Sequence, residues 1–196
     1  MGLSRFLPLA CGLLVLTAAC GSPVSGDPQP TTTAGGGSTS AGAVPPVRDP
    51  LNVSKIASDT CSGLTNAQLA PFIGAIDEAN SPDAQGCVWH PVDVNQPAIG
   101  LAVYPGNGGP ATLGNTSFPW SASAGEIAGY PAEHMSQGGE TGPQTGACET
   151  AVAVSDKDTI AIDNDDASPQ NKYYTQACVL SDQVAALVIA NLKAGG

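Results

Sequence analysis

The chain is predicted to form an α+β domain: an antiparallel sheet of about five strands packed with an N-terminal and a C-terminal helix, braced by two disulfides. Three observations carry that expectation. Helical patterns stand at the two ends of the region from Arg48 to Gly196, strand patterns fill the space between them, and four cysteines punctuate the same region.

The first helix is predicted from its start signal. Thr65 and Gln68 fit a capping box, in which each side chain satisfies a backbone N–H of the other residue. Leu64 and Leu69 occupy the flanking positions of a hydrophobic staple. Pro71 is expected to break or kink this helix, with Phe72, Ile73 and Ile76 continuing its apolar face. Strands are expected over Cys87–Val92 and over Ile99–Tyr104, where apolar residues alternate. The Gly-, Pro-, Ser- and Thr-rich stretch Pro105–Ala124 is read as a long loop with at most a short helix. Glu126–Glu133 is a third strand candidate, weakened by Gly129 and Pro131. Cys148–Val154 and Thr159–Asp163 form a hairpin about the turn Ser155-Asp156-Lys157-Asp158. The last helix runs from about Tyr173 to Lys193, with Leu180, Val184, Val188 and Leu192 at four-residue steps and Leu187 beside them. Gly195-Gly196 stops it.

Three segments precede or make up the chain's organisation: residues 1–19, 20–47 and 48–196. The first reads as an export signal. Arg5 supplies a positive start, Phe6–Leu16 is a nearly unbroken apolar run too short to span a bilayer, and Thr17, Ala18 and Ala19 lead to Cys20. A cysteine directly after Ala-Ala resembles the bacterial lipobox, whose thiol takes a diacylglycerol; Thr17 replaces the usual Leu. Cys11 lies in the middle of the apolar run and reads as filler. Two acyl chains on Cys20 anchor a protein stably, where one gives only marginal binding. The expected location is therefore the outer face of the cell membrane. Residues 21–46 contain five Pro, six Gly and eight Ser or Thr, with Asp27 as the sole charge. Such a segment cannot bury enough apolar surface to order itself, and as a flexible tether spans roughly 30 Å.

The folded region is large enough for a single core. Seventeen acidic residues against six basic ones give the chain a net charge of −11, with no basic stripe. Nucleic acid is excluded as a partner on that ground. Cys61, Cys87, Cys148 and Cys178 permit three connectivities. Sequential pairing, Cys61–Cys87 and Cys148–Cys178, is favoured, each bond closing a loop of about 30 residues. Without any C-x-x-C spacing a zinc site is not expected.

Together these residues resemble a known family. Cys61 with Leu64 and Leu69 opens the domain, Gly86-Cys87-Val88-Trp89 follows, then Ile127-Ala128-Gly129-Tyr130-Pro131-Ala132, with Cys148 opening a strand and Cys178 a helix. The pattern is similar to the actinobacterial lipoprotein family known as domain of unknown function number three-five-five-eight. Asp59-Thr60-Cys61 stands where that family more often has Asp-Pro-Cys. The resemblance implies export, lipidation and a disulfide-braced α+β domain. It brings no activity and no site residues.

Chemistry-bearing motifs are few. Gly106-Asn107-Gly108-Gly109-Pro110-Ala111 loosely imitates a dinucleotide fingerprint, but Pro110 and the lack of a following helix make it a turn. Asp156, Asp158, Asp163, Asp165 and Asp166 resemble calcium ligands, yet Ala161 stands where an EF-hand loop needs glycine. His134, beside Glu133 and near Ser136, is the best catalytic candidate, and no G-x-S-x-G elbow accompanies it. No catalytic residue, metal or cofactor is therefore assigned. Phe118 and Trp120, flanking Pro119 in the long loop, are the candidate ligand-facing residues. The function expected is a non-catalytic accessory lipoprotein that binds an envelope protein, lipid or small molecule. The alternative is an envelope-acting hydrolase without a recognisable motif.

Overall fold

The computed structural model describes residues 46–77, 81–83, 86–114, 117–136, 146–165 and 167–195. The signal segment, Cys11, Cys20, the tether up to residue 45 and Asp166 lie outside them. Among the described residues no helix is long and apolar enough to cross a membrane.

Among the described residues seven antiparallel strands form one sheet: β1 (Ser81–Asp83), β2 (Gly86–Trp89), β3 (Ala98–Tyr104), β4 (Trp120–Ile127), β5 (Tyr130–Ser136), β6 (Cys148–Ala153) and β7 (Thr159–Asp165). Their spatial order is β1-β2-β3-β7-β6-β5-β4. The chain builds three adjacent strands, crosses to the far edge, and returns strand by strand until β7 settles beside β3. Leu101 pairs with Ile162 at that central seam, and Thr150 pairs with Ile162 from the other side.

Among the described residues the α-helices are α1 (Ser54–Ser58), α2 (Asn66–Ile73) and α3 (Ala177–Lys193). The capping box at Thr65 forms, with Gln68 N–H donating to Thr65 Oγ1 and Thr65 N–H donating to Gln68 Oε1. Gln68 also donates to Asn191 Oδ1 at 2.9 Å, and Asn191 donates to the Gly63 carbonyl at 2.8 Å, so the cap ties α2 to α3. Pro71 does not end α2 at once; the helix runs two residues further before Gly74 turns away at φ 78°. In α3 the buried stripe is Leu180, Val184, Ala185, Val188, Ile189 and Leu192. Leu187 is only partly buried; Ile189 takes the place it was expected to fill.

One face of the sheet meets α3. Trp89, Ile99, Leu101, Val152, Ile160 and Ile162, on β2, β3, β6 and β7, are 0–1 % exposed there and form the core with the helix stripe. Both disulfides form as paired in sequence and both serve this face. Cys61–Cys87 pins the turn Thr60–Gly63 to β2, and Cys148–Cys178 pins the first turn of α3 to β6.

The α+β sheet forms as expected and differs in detail. Among the described residues it has seven strands where about five were expected, the extra ones coming from a hairpin in place of a single strand and from β1. The third strand candidate, Glu126–Glu133, straddles two strands: Ile127 pairs with Tyr130 around Ala128 (φ 52°) and Gly129 (φ 90°). Positive φ at both central residues is the tight hairpin turn whose twist matches its strands. Gly129 is thus part of the turn itself and not an interruption of a strand. The long loop is also shorter than expected. It ends before Trp120, which opens β4, with a bulge between Ser123 and Gly125 further along.

Candidate functional site

The connection from β3 to β4 must cross β7, β6 and β5, and its described residues, 105–114 and 117–119, lie on the face away from α3. Hydrogen bonds fix its first part to the β6–β7 turn. Gly106 N–H donates to Asp158 Oδ1 at 2.9 Å, Gly108 N–H to the Lys157 carbonyl at 2.8 Å, and Gly109 N–H to Thr159 Oγ1 at 2.8 Å. Gly109 has φ 91°, and a Cβ there would lie 2.2 Å from the Asp156 carbonyl oxygen. The glycine run is therefore a close-fitting turn. A single helical turn, Pro110–Thr112, follows, and Gly114 N–H then donates to Glu133 Oε2 at 2.5 Å. The segment is a strap held at Gly106–Gly109 and again at Gly114.

Between strap and sheet lies a cleft of about 290 Å³, walled by Leu113 and Phe118 from the strap and by Glu133, Met135, Glu149 and Ala151 from the sheet. A smaller cleft of about 130 Å³ continues toward β2, past Val88, Gly100 and Asp163. Tyr104, Glu149 and Ala161 belong to both. The floor exists because β3, β6 and β7 carry glycine and alanine on this face at Gly100, Ala102, Ala151 and Ala161. Alternate residues of a strand point to opposite faces, so the same strands supply large apolar residues to the core.

Among the described residues neither cleft is lined by a lysine or arginine. Lys172 lies 4.6 Å from the centre of the Tyr173 ring. Lys193 lies 4.9 Å from that of Tyr130 and donates to the Ala128 carbonyl. The clefts are thus negative. Glu149 pairs directly opposite Asp163 across β6 and β7. Burial, and then the charge of Asp165, hold the Glu149 carboxyl above its ordinary range. Burial, and then the charges of Glu149 and Asp163, likewise raise the Tyr104 phenol.

Of the two aromatic candidates, Phe118 lines the larger cleft. Trp120 lines neither: it pairs with Ser136 at the end of β4, on the same side of the sheet as His134 and α3. Both are half-buried. A loop signal in the sequence found the strap; of the carboxylates that face it, Glu133 was noted only as a neighbour of His134, and nothing in the sequence marked Glu149.

The family of the chain is decided by a sequence model that spans residues 15–191. The chain belongs to DUF3558, described as a protein of unknown function. No curated protein and no solved structure matches it.

The other polar cluster of this DUF3558 chain lies under α3. His134 Nε2 and Asp182 Oδ1 are 2.7 Å apart, Thr150 Oγ1 donates to the same Asp182 oxygen at 3.0 Å, and Thr150 and Ser181 hydroxyls share a 2.6 Å bond. Glu133 and His134, adjacent on β5, point to opposite faces, so the catalytic grouping considered from sequence is divided by the sheet. Ser136 Oγ donates to the Ala147 carbonyl. The network fastens α3 to β5 and β6. The calcium-like aspartates are also dispersed. Asp156 Oδ1 accepts from Val47 N–H, and Asp158 accepts from Gly106 N–H and Ser155 Oγ–H. Asp163 faces the smaller cleft. Among the described residues no group of three or more His, Cys, Asp or Glu is placed to hold a metal ion.

Proposed function

We propose that this DUF3558 chain is an exported lipoprotein of actinobacterial type, held at the outer face of the cell membrane through Cys20. Its folded region is a non-catalytic module that captures a small ligand in the cleft beneath the strap. The observation that carries the binding reading is the cleft itself: a strap hydrogen-bonded at Gly109 and at Gly114 stands over Ala151 and Ala161 without filling the space between. A connection that served only to join β3 to β4 would gain by packing onto that floor, since apolar burial stabilises by about 25 cal/mol per Å². The anchoring reading rests on the apolar run and on Cys20 after Ala18-Ala19.

Two measurements test the two parts. Intact-mass analysis of the membrane-extracted protein should show a diacylated mature N-terminus at Cys20. Cys20→Ala should abolish it and release the protein from the membrane fraction, whereas Cys11→Ala should not; an unlipidated mature N-terminus would sink the anchor. For the cleft, the full chain in neutral detergent is titrated with a mixture of neutral, anionic and cationic fragments and followed by amide NMR. Shifts at Tyr104, Phe118 and Glu149 are expected. If no fragment moves them, the binding reading fails.

A further inference from the structure

We infer that the cleft under the strap is a site for a primary alkylammonium ligand, its ammonium group between Glu133 and Glu149 and its apolar body against Phe118. The inference rests on the binding reading above and adds the charge and class of what enters.

Glu133 is 5 % exposed. Its Oε2 accepts from Gly114 N–H, and among the described residues Oε1 has no partner and no cation stands against the carboxylate. A buried carboxylate is costly unless it is paired and hydrogen-bonded. Glu149, half-buried in the same cleft, receives no hydrogen bond at its carboxylate among the described residues, and Asp163 sits directly across from it. Like charges directly opposite in a ladder repel. Its carboxyl is raised by burial first and then by Asp165, the behaviour of an acid lacking a counter-charge.

Register brings the two carboxylates within reach of one cation. Glu133 pairs with Ala151, and Glu149 is two residues from Ala151 on the same face. Such diagonal neighbours are about 7–8 Å apart at the backbone, a span that two glutamate side chains close around an ammonium with its three N–H donors. Phe118 and Tyr104 line the same cleft and offer the ring contacts that attract cations. An anion would be repelled. A neutral ligand would leave both acids unpaired. A bare metal ion would need more ligands than the described residues group together. The volume, about 290 Å³, lies at the small end of ligand sites and favours a compact molecule.

The test is calorimetric titration of the full chain, in neutral detergent at pH 7, with butylammonium and with its neutral counterpart butanol. Butylammonium should bind about tenfold tighter or more, as a charge-assisted contact requires. Glu133→Gln and Glu149→Gln should each erase most of that advantage, and Phe118→Ala should weaken both probes. If Glu133→Gln does not fold, Glu149→Gln carries the test alone. Equal binding of both probes overturns the inference and leaves the cleft as a site for apolar ligands. Butylammonium binding unchanged in Glu149→Gln overturns it too. If neither probe binds, the inference falls, and the fragment titration decides separately whether the cleft binds anything.

Discussion

Under α3 the strands present Trp89, Ile99, Leu101, Val152, Ile160 and Ile162, all essentially inaccessible to solvent. On the opposite face the same four strands present Val88, Gly100, Ala102, Glu149, Ala161 and Asp163. Alternation along each strand makes this division possible, and what covers each face completes it. A 17-residue helix with an apolar stripe closes the first, aided by both disulfides. A strap fixed through glycine amides crosses the second and leaves space. The core sits on one face of the sheet and the proposed ligand cleft on the other, so a substitution under α3 should leave cleft binding intact, and one in the cleft should move stability only a little.

The largest effect should come from the disulfides, both on the covered face. Each closes a loop worth about 3.5 kcal/mol in the chain-entropy model, so the two together rival the ~5–15 kcal/mol net stability of a typical domain. Melting followed by circular dichroism with and without reductant should show a drop of many degrees. A shift of a degree or two would mean that the helix stripe alone seals the core.

Next in size is Leu180→Ala. Leu180 is fully buried on α3, and its truncation should cost ~2–5 kcal/mol in denaturant unfolding. Val179→Ala, at a residue 44 % exposed, should stay within ~0.5 kcal/mol. Comparable losses at both positions would break the assignment of the covered face.

The aromatic pair sharpens the division. Trp120→Ala, at a half-buried site toward α3, should cost about 1–2 kcal/mol and leave cleft binding unchanged. Phe118→Ala should reverse the balance, with weakened ligand capture at a cost of about 1 kcal/mol or less. Lost binding in Trp120→Ala would show that the two faces communicate.

The smallest effect concerns Glu149. An acid whose pKa is raised by folding holds its proton more tightly in the native state. Its favourable contribution is complete below the ordinary value of 4.5 and is lost as pH rises through the raised native value. Glu149→Gln, which cannot ionise, should therefore melt a few degrees above the parent at pH 7. The gap should close as the pH falls below 4.5. A gap that persists in acid would mean that packing, and not charge, separates the two.

Much of the covered face was legible in the sequence because its signals are local. The capping box at Thr65 and Gln68, the four-residue steps of α3 and the hairpin around Ser155–Asp158 need only neighbouring residues to define them. The open face was harder to read. β4 runs Trp120-Ser-Ala-Ser-Ala-Gly-Glu-Ile127, with few of the branched and aromatic residues that mark strands. Its turn uses Ala128 at positive φ, where Asn, Asp or Gly is the usual signal. The position of Glu133 beneath Gly114 depends on how a strap crosses three strands, which no short window contains. Phe118 was found as an aromatic in a long loop. Trp120 shared that signal and belongs to a strand.

The seam between β3 and β7 has a consequence for how the domain comes together. Leu101 waits for Ile162, and nothing synthesised between them can take that place in the ladder. A chain ending before Thr159 holds two antiparallel pieces, β1–β3 and β4–β6, with no strand ladder between them and no α3 to cover them. Closing such distant pairs must meet the loop entropy before any contact rewards it, which makes high-contact-order sheets slow to form. The final hairpin and helix therefore join the two pieces: β7 completes the ladder between β3 and β6, and α3 covers the face they form together.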